Sequence, residues 1–173
     1  IKLISVGRLT KIKNQIVILK KLNLIKNKFN FELLILGKGN ELYNLKNFVN
    51  KNNLGKNIIF KGYKKNPIKY INKSNVLIHA SKFEGLPNVL IEAQLQKKLV
   101  ISSNCPTGPK EILLNGEGGY LFNQKNYKQL SKILLNLKKE KKSIKSKIQK
   151  SLVNLQRFNL EKNCNEYEKA ILN

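Results

Sequence analysis

Six short apolar runs, each followed by a stretch of helical periodicity or a turn, constrain this chain's fold more than any other feature. Ile1 to Val6 predicts a strand ended by Gly7. Asn14 to Lys28 follows as a helix, with Ile16, Val17, Leu19, Leu22 and Ile25 along one stripe. The alternation continues with a strand over Phe31 to Leu36, a helix over Glu41 to Lys51, a strand over Asn57 to Lys61 and a short helix over Pro67 to Asn72. Val76 to Ala80 and Leu99 to Ser102 read as strands on either side of a helix over Pro87 to Gln96. Pro109 to Leu114 reads as a helical turn, Gly119 to Phe122 as a sixth strand, and everything after Tyr127 as helix. Apolar strands separated by helices imply a parallel sheet with right-handed crossovers, so the expected fold class is α/β, a doubly wound parallel sheet of about six strands with helices on both faces and a helical C-terminal tail. At 173 residues the chain is one domain, since a domain takes about 150, with no repeat or linker.

In such folds ligands bind beyond the carboxyl ends of the strands, so the strand-to-helix loops hold the candidate site. Gly7-Arg8 leaves the first strand and Lys13 stands at the entrance of the first helix. Two cations beside a helix N-terminus suit a diphosphate. After the fourth strand, Glu84-Gly85-Leu86-Pro87 leads into Asn88, Val89, Leu90 and then Glu92. Gly85 lets the backbone approach a ligand, amides from Asn88 to Leu90 can face an anion, and carboxylates accept paired hydrogen bonds from vicinal hydroxyls. A cheaper explanation has Glu84 complementing the helix dipole and Glu92 simply exposed. Cys105 to Ile112, stiffened by Pro106 and Pro109, brings Gly108 and Glu111 to the same rim, or merely forms a turn. Gly37-Lys38-Gly39 lacks the third glycine of a dinucleotide fingerprint and follows the second strand rather than the first.

Composition removes several chemistries. All ten acidic residues are glutamate, so an EF-hand, an Asp-x-Asp magnesium clamp and a Ser-His-Asp triad are excluded within this chain. With one histidine, His79, and cysteines far apart at Cys105 and Cys164, no metal site is expected. His79 reads as a strand-end residue lining the site rather than as a general base.

The net charge of +24 invites a nucleic-acid or membrane partner. Only Arg8 and Arg157 among the 34 basic residues are arginine, however, and a phosphate-binding face favours arginine forks. No nucleic-acid partner is expected. The dense run Lys138, Lys139, Lys141, Lys142, Lys145, Lys147 and Lys150 is either a dock for anionic lipid or a solvated helix face. No apolar stretch has the roughly 18 residues of a membrane span, no signal peptide is visible, and two cysteines without obvious partners fit a reducing cytosol. Ile1 opens directly into a strand, which reads as a chain cut from a longer protein.

Taken together, Val6-Gly7-Arg8-Leu9 with Lys13-Asn14, the Gly37-Lys38-Gly39 turn, Phe83-Glu84-Gly85-Leu86-Pro87 through Glu92-Ala93, and Gly108-Pro109-Lys110-Glu111-Ile112 with Gly116 and Gly119-Tyr120-Leu121 form a recognisable series. It resembles the carboxy-terminal, donor-binding half of a GT-B glycosyltransferase of the group 1, or GT4, family, in the family's order from Ile1 to about Phe122. The two glutamates eight apart are the specific part; the glycine turns are not.

The resemblance implies a Rossmann-like domain over 1–173, with a helical tail from about 126, and an amino-terminal acceptor domain outside this chain. It implies a retaining, metal-independent transferase with no cofactor, whose donor is a nucleotide-sugar, UDP-linked by expectation, and whose acceptor is a surface glycan or lipid-linked glycan. Arg8 and Lys13 would hold the donor diphosphate and Glu84 the sugar hydroxyls, which makes these three the catalytic set. Glu92 would hold the ribose hydroxyls, Gly62 and Tyr63 would meet the base, and Gly108 and Glu111 would lie on the diphosphate and sugar side. The cytoplasm, with peripheral contact on the inner face of the membrane, is the expected location. The alternative is a non-enzymatic basic module of the same fold that binds nucleic acid or an anionic membrane; a module freed from donor binding has no chemical reason to keep Arg8, Lys13, Glu84 and Glu92 together.

Overall fold

The computed structural model describes residues 1–172. Its centre is a six-stranded sheet in the order β3-β2-β1-β4-β5-β6, with every neighbouring pair parallel. The strands are β1 (Lys2–Val6), β2 (Glu32–Leu36), β3 (Ile58–Gly62), β4 (Val76–His79), β5 (Leu99–Ser103) and β6 (Tyr120–Phe122). Strand order grows outward in one direction from β1 to β3 and in the other from β4 to β6. The reversal lies between β1 and β4, where Leu3 pairs with Val76 and Ile4 with Leu77. A crevice opens at such a switch point, because the loops leaving the two strands turn to opposite faces.

Side chains alternate across the sheet with the strand period of two. Leu3, Leu33, Ile35, Val76, Ile78, Leu99 and Ile101 enter one apolar core, together with residues of α1 (Gln15–Ile25), α2 (Leu42–Lys51) and α6 (Lys128–Asn136). Ile4, Leu36, Leu77 and Val100 enter the other, under α3 (Ile68–Asn72), α4 (Asn88–Leu95) and α5 (Pro109–Ile112). The two central strands on the β5 side, Val76–His79 and Leu99–Ser103, are buried at every position. That is why they read in sequence as continuous apolar runs.

Helix starts follow local chemistry. Asn14 sits in the left-handed region, at φ 54°, so α1 cannot begin before Gln15. Pro109 takes the first position of α5, where its missing amide costs nothing. Pro87, expected inside α4, instead precedes it with ψ 89°, and the helix opens at Asn88.

The tail is helical in separate segments. After α6 come α7 (Lys141–Asn154), a 3-10 turn over Leu155–Phe158, and α8 (Leu160–Leu172). Ile144 and Ile148 pack against the first core and Phe158 against the second, so the tail passes from one face of the sheet to the other. Among the described residues, no helix is long and apolar enough to cross a membrane.

Beyond the switch point the loops interlock through backbone. The Gly7 amide donates to the Leu36 carbonyl (3.0 Å), the Leu9 amide to the Lys38 carbonyl (3.0 Å), and the Gly37 amide to the Gly62 carbonyl (2.9 Å). Gly37 has φ 144°, and a Cβ there would stand 1.9 Å from the Gly7 carbonyl oxygen. The close approach therefore requires glycine at 37. Gly37→Ala is expected to destabilise the chain by at least about 1–3 kcal/mol. Gly55→Ala, where an added Cβ meets nothing within 4 Å, should stay near native stability. Urea unfolding of the two variants checks this, and equal midpoints would refute the interlock.

Candidate functional site

The loop after β1 and the loop after β4 are tied to each other before any side chain is considered. The Lys82 amide donates to the Ile12 carbonyl at 2.8 Å, which brings the residues around Lys13 against those around Glu84. The Gln15 amide nitrogen donates to the Arg8 carbonyl at 2.9 Å and fixes the start of the first loop. Gln124 donates to the carbonyls of Ser81 (2.9 Å) and Lys82 (2.8 Å) and anchors the second to the segment after β6.

On this frame Glu84 meets two donors. Lys13 Nζ and His79 Nε2 both reach Glu84 Oε1, the histidine at 2.8 Å. The three side chains are 21%, 6% and 10% exposed for Lys13, His79 and Glu84. Burial alone would raise the Glu84 pKa. Hydrogen bonds from His79 and Lys13 outweigh it and lower the pKa to about 2. The Ser81 hydroxyl, which is buried and makes no hydrogen bond of full geometry, adds a smaller contribution in the same direction.

The loop after β5 closes a third side. Thr107 Oγ1 donates to the Glu84 carbonyl. Gly108, at φ 82°, lies so close that a Cβ there would be 2.1 Å from the Gly85 carbonyl oxygen. Cys105 is buried, and desolvation together with the Glu84 charge pushes its thiol pKa up, so it sits as an inert thiol in this wall.

Each residue expected from sequence can be placed. Arg8 is exposed at the end of β1 and lines a cleft of about 800 Å³ with Gly7, Gly37, Lys38, Tyr63 and neighbouring residues. Gly62 has φ 67°, and Lys38 Nζ lies 5.7 Å from the centre of the exposed Tyr63 ring. Gly85, Leu86 and Asn88 are exposed at the mouth of α4. The Leu90 amide already donates to the Pro87 carbonyl (2.9 Å) and its side chain is fully buried, which leaves Asn88 and half-buried Val89 as the amides at the helix opening. Glu92, in the second turn of α4, is half-buried and burial raises its pKa; no hydrogen bond from a described residue engages its carboxylate. Glu111 occupies the first turn of α5 and is paired with Arg157 of the tail at 2.8 Å.

The structure thus brings Lys13 and Glu84 into direct contact and puts Arg8 in the adjoining cleft. Sequence reasoning missed that His79 is the second donor to Glu84. The signal was a histidine closing a strand five residues before a loop glutamate. It also undervalued Gly37-Lys38-Gly39, whose glycines admit the β1 loop at van der Waals limits. Among the described residues, no group of three or more histidine, cysteine or glutamate side chains is gathered as a metal site would need.

The model of the family described as "Glycosyl transferases group 1" matches residues 1–170. The chain belongs to this family. An uncharacterized glycosyltransferase of Methanocaldococcus jannaschii is 41% identical over 111 residues, covering 64% of this chain and 27% of that protein. The N-acetylgalactosamine-N,N'-diacetylbacillosaminyl-diphospho-undecaprenol 4-alpha-N-acetylgalactosaminyltransferase of Campylobacter jejuni is 32% identical over 148 residues, 84% of this chain and 40% of its own length. This group 1 chain therefore spans between about a quarter and two-fifths of these relatives. Among solved structures, Anabaena HepE in complex with UDP and glucose superposes with a TM-score of 0.87 at 17% identity, over 98% of this chain and 47% of that one. S. aureus TarM gives 0.86 at 20% identity, over 96% and 34%. These likenesses establish the fold, that of one half of the GT-B glycosyltransferases.

The depressed Glu84 pKa has a defined pH consequence. An ionised Glu84 stabilises the fold fully above its ordinary value of 4.5, and that stabilisation is lost as pH falls from there through about 2. Glu84→Gln is expected to reduce the pH dependence of unfolding free energy across that window. Urea unfolding at a series of pH values checks it; parallel curves for both proteins between pH 4.5 and 2 would refute the ionised contact.

Proposed function

We propose that this chain is the nucleotide-sugar-binding part of a retaining glycosyltransferase that takes a UDP-linked donor, works without a metal ion, and passes the sugar to a glycan or lipid-linked acceptor held by residues outside this chain. The observation that carries the reading is the Lys13–Glu84 contact at the carboxyl ends of the two strands where the sheet order reverses, with Arg8 lining the adjoining cleft. Solved relatives of the same fold hold UDP, and the Campylobacter relative acts on a diphospho-undecaprenol acceptor. In this reading Arg8 and Lys13 neutralise the charge on the leaving diphosphate, as the resemblance to group 1 glycosyltransferases implies.

In this reading the cleft beside Tyr63 takes the base, and Glu92, unengaged and half-buried, accepts from the ribose hydroxyls. The amides of Asn88 and Val89 face the diphosphate at the opening of α4. Lys13 leaves Glu84 for the diphosphate, and the freed carboxylate accepts from hydroxyls of the donor sugar. Gly108 keeps the third loop close to this point, while Glu111, held by Arg157, braces α5 against the tail.

Calorimetry of the chain with UDP tests the reading. Binding is expected with and without a chelator. Arg8→Lys should weaken it by about 10- to 100-fold, because a point charge does not reproduce the guanidinium fork. Glu92→Ala should also weaken UDP, whereas Glu84→Ala should spare UDP and affect the sugar-bearing donor. Absolute dependence on magnesium, or full affinity in Arg8→Lys, would overturn the assignment.

The lysine run divides in the structure. Lys147 lies 4.7 Å from the Tyr120 ring centre and donates to the Gly116 carbonyl, and Lys150 pairs with Glu117 at 2.8 Å. Lys138, Lys139, Lys141, Lys142 and Lys145 are exposed. We assign peripheral contact with anionic lipid to these five. Their joint replacement by glutamine should reduce sedimentation with phosphatidylglycerol vesicles and leave UDP affinity unchanged, since charges beyond about 8 Å are screened at physiological salt. Unaltered sedimentation would make this a solvated face.

A further inference from the structure

The Lys13–Glu84 contact raises a difficulty that the proposed function alone does not resolve. Glu84 is buried, and a buried carboxylate left without a donor is costly. If Lys13 turns to a diphosphate, something must keep Glu84 ionised and in place. His79 is built to do so.

His79 is the last residue of β4 and is paired in register with Ser102 of β5, in the interior of the sheet. Its side chain is 6% exposed, against 21% for Lys13, whose ammonium ends a long side chain on a loop. The imidazole is therefore the fixed donor and the ammonium the exchangeable one. Both donors converge on Oε1, and no described residue makes a hydrogen bond of full geometry to the other oxygen, Oε2. The main chain around Glu84 is held independently, through the Thr107 hydroxyl on its carbonyl and the contact of Gly108 with Gly85.

We infer that His79 is the positioning residue of Glu84: its Nε2–H holds Oε1 throughout, so that Lys13 can leave for the nucleotide diphosphate while Oε2 stays aimed at the donor sugar. This inference rests on the proposed function for the identity of the ligand. It does not rest on that function for the geometry. Touching neither sugar nor phosphate, His79 acts through Glu84. A strand-borne donor suits the task, because the hydrogen bond must survive a rearrangement of the loop beside it.

His79 is the chain's one histidine, so nitrogen-15 labelling of histidine reports on this ring alone. The expected spectrum shows a proton on Nε2 in the unliganded chain. It should persist in Lys13→Met, which imitates departure of the ammonium without any nucleotide, and the Nε2 resonance should shift in Glu84→Gln. A proton confined to Nδ1, or loss of the Nε2 proton in Lys13→Met, would overturn the inference.

The second arm measures affinities for UDP, UDP-glucose and UDP-N-acetylglucosamine. His79→Leu should keep UDP affinity within about twofold and lose, by about 10- to 100-fold, whatever affinity a sugar adds over UDP. His79→Gln, which restores an N–H donor, should recover most of it. Sugar-dependent affinity that is untouched in His79→Leu, or that a folded His79→Gln does not recover, would also overturn it. Should His79→Leu not fold, the Lys13→Met spectrum and the glutamine variant decide. Failure of the native chain to bind UDP counts against the proposed function alone, because the Lys13→Met arm needs no nucleotide.

Discussion

The carboxyl edge of the sheet depends on β4 pairing with β1 rather than continuing outward beside β3. That single register, Leu3 with Val76 and Ile4 with Leu77, sets next to each other two loops separated by some seventy residues of chain. Had β4 joined the sheet at β3, Lys13 and Glu84 would lie several strand spacings of about 4.8 Å apart and could not touch. The crevice is thus a topological product. Its side chains are drawn from loops whose separate sequences contain no hint of the contact, and the Lys82–Ile12 backbone bond then fixes their height relative to one another.

Within that crevice the electrostatics are those of a site prepared for charge. Glu84 is buried enough for desolvation to oppose its ionisation, yet two donors hold its pKa near 2. Glu92, on the same helix-and-loop segment, shows the reverse: burial raises its pKa, with no hydrogen bond from a described residue to offset it. Two carboxylates eight residues apart are thereby given opposite environments. One is held ionised by its neighbours, and the other is disfavoured in its charged form by burial. Separation of this kind is a recurrent mark of sites whose acids have different tasks. Exposed charges on a lysine-rich surface would not be so differentiated.

Much of the architecture was legible because parallel strands buried on both faces leave uninterrupted apolar runs, as Val76–His79 and Leu99–Ser103 do. Boundaries were less legible. Pro87 looked like a first helical residue because its ring fixes φ, but its ψ of 89° holds it outside α4, where it caps the close packing of Gly108 against Gly85. The tail read as helical, since lysine and leucine are both good helix formers, but the sequence reading set no breaks within it. The breaks fall after α6, where Leu137 is buried, and at the 3-10 turn, where Phe158 packs against the second core. At the site, residue types and order were readable, and so was the resemblance to group 1 glycosyltransferases. The pairing of His79 with Glu84 was not, because a strand-end histidine points to either face according to register, and register is a property of the assembled sheet.

The same distinction explains what the +24 charge does and does not mean. From composition, the lysines between Lys138 and Lys150 are interchangeable. In the fold they are not. Lys147 is partly desolvated, which lowers its pKa, and its ammonium is shared between the Tyr120 ring and the Gly116 carbonyl. Glu140 accepts from the Tyr120 hydroxyl, so an acid, a phenol and a lysine from the tail and β6 form one small polar network at the sheet's edge. Lys150 and Arg157 add ion pairs to Glu117 and Glu111 on the neighbouring turns. Exposed surface pairs of this kind contribute little individually. Their common direction matters more: each ties the tail to the segment that follows β5, and that segment includes the loop closing over Glu84. With so few acids in the chain, the placement of Glu111, Glu117 and Glu140 along the tail's path is therefore what selects, from a uniformly basic helix, the lysines and the one arginine that become structural. The remaining lysines are left to the solvent or to whatever anionic surface the tail meets.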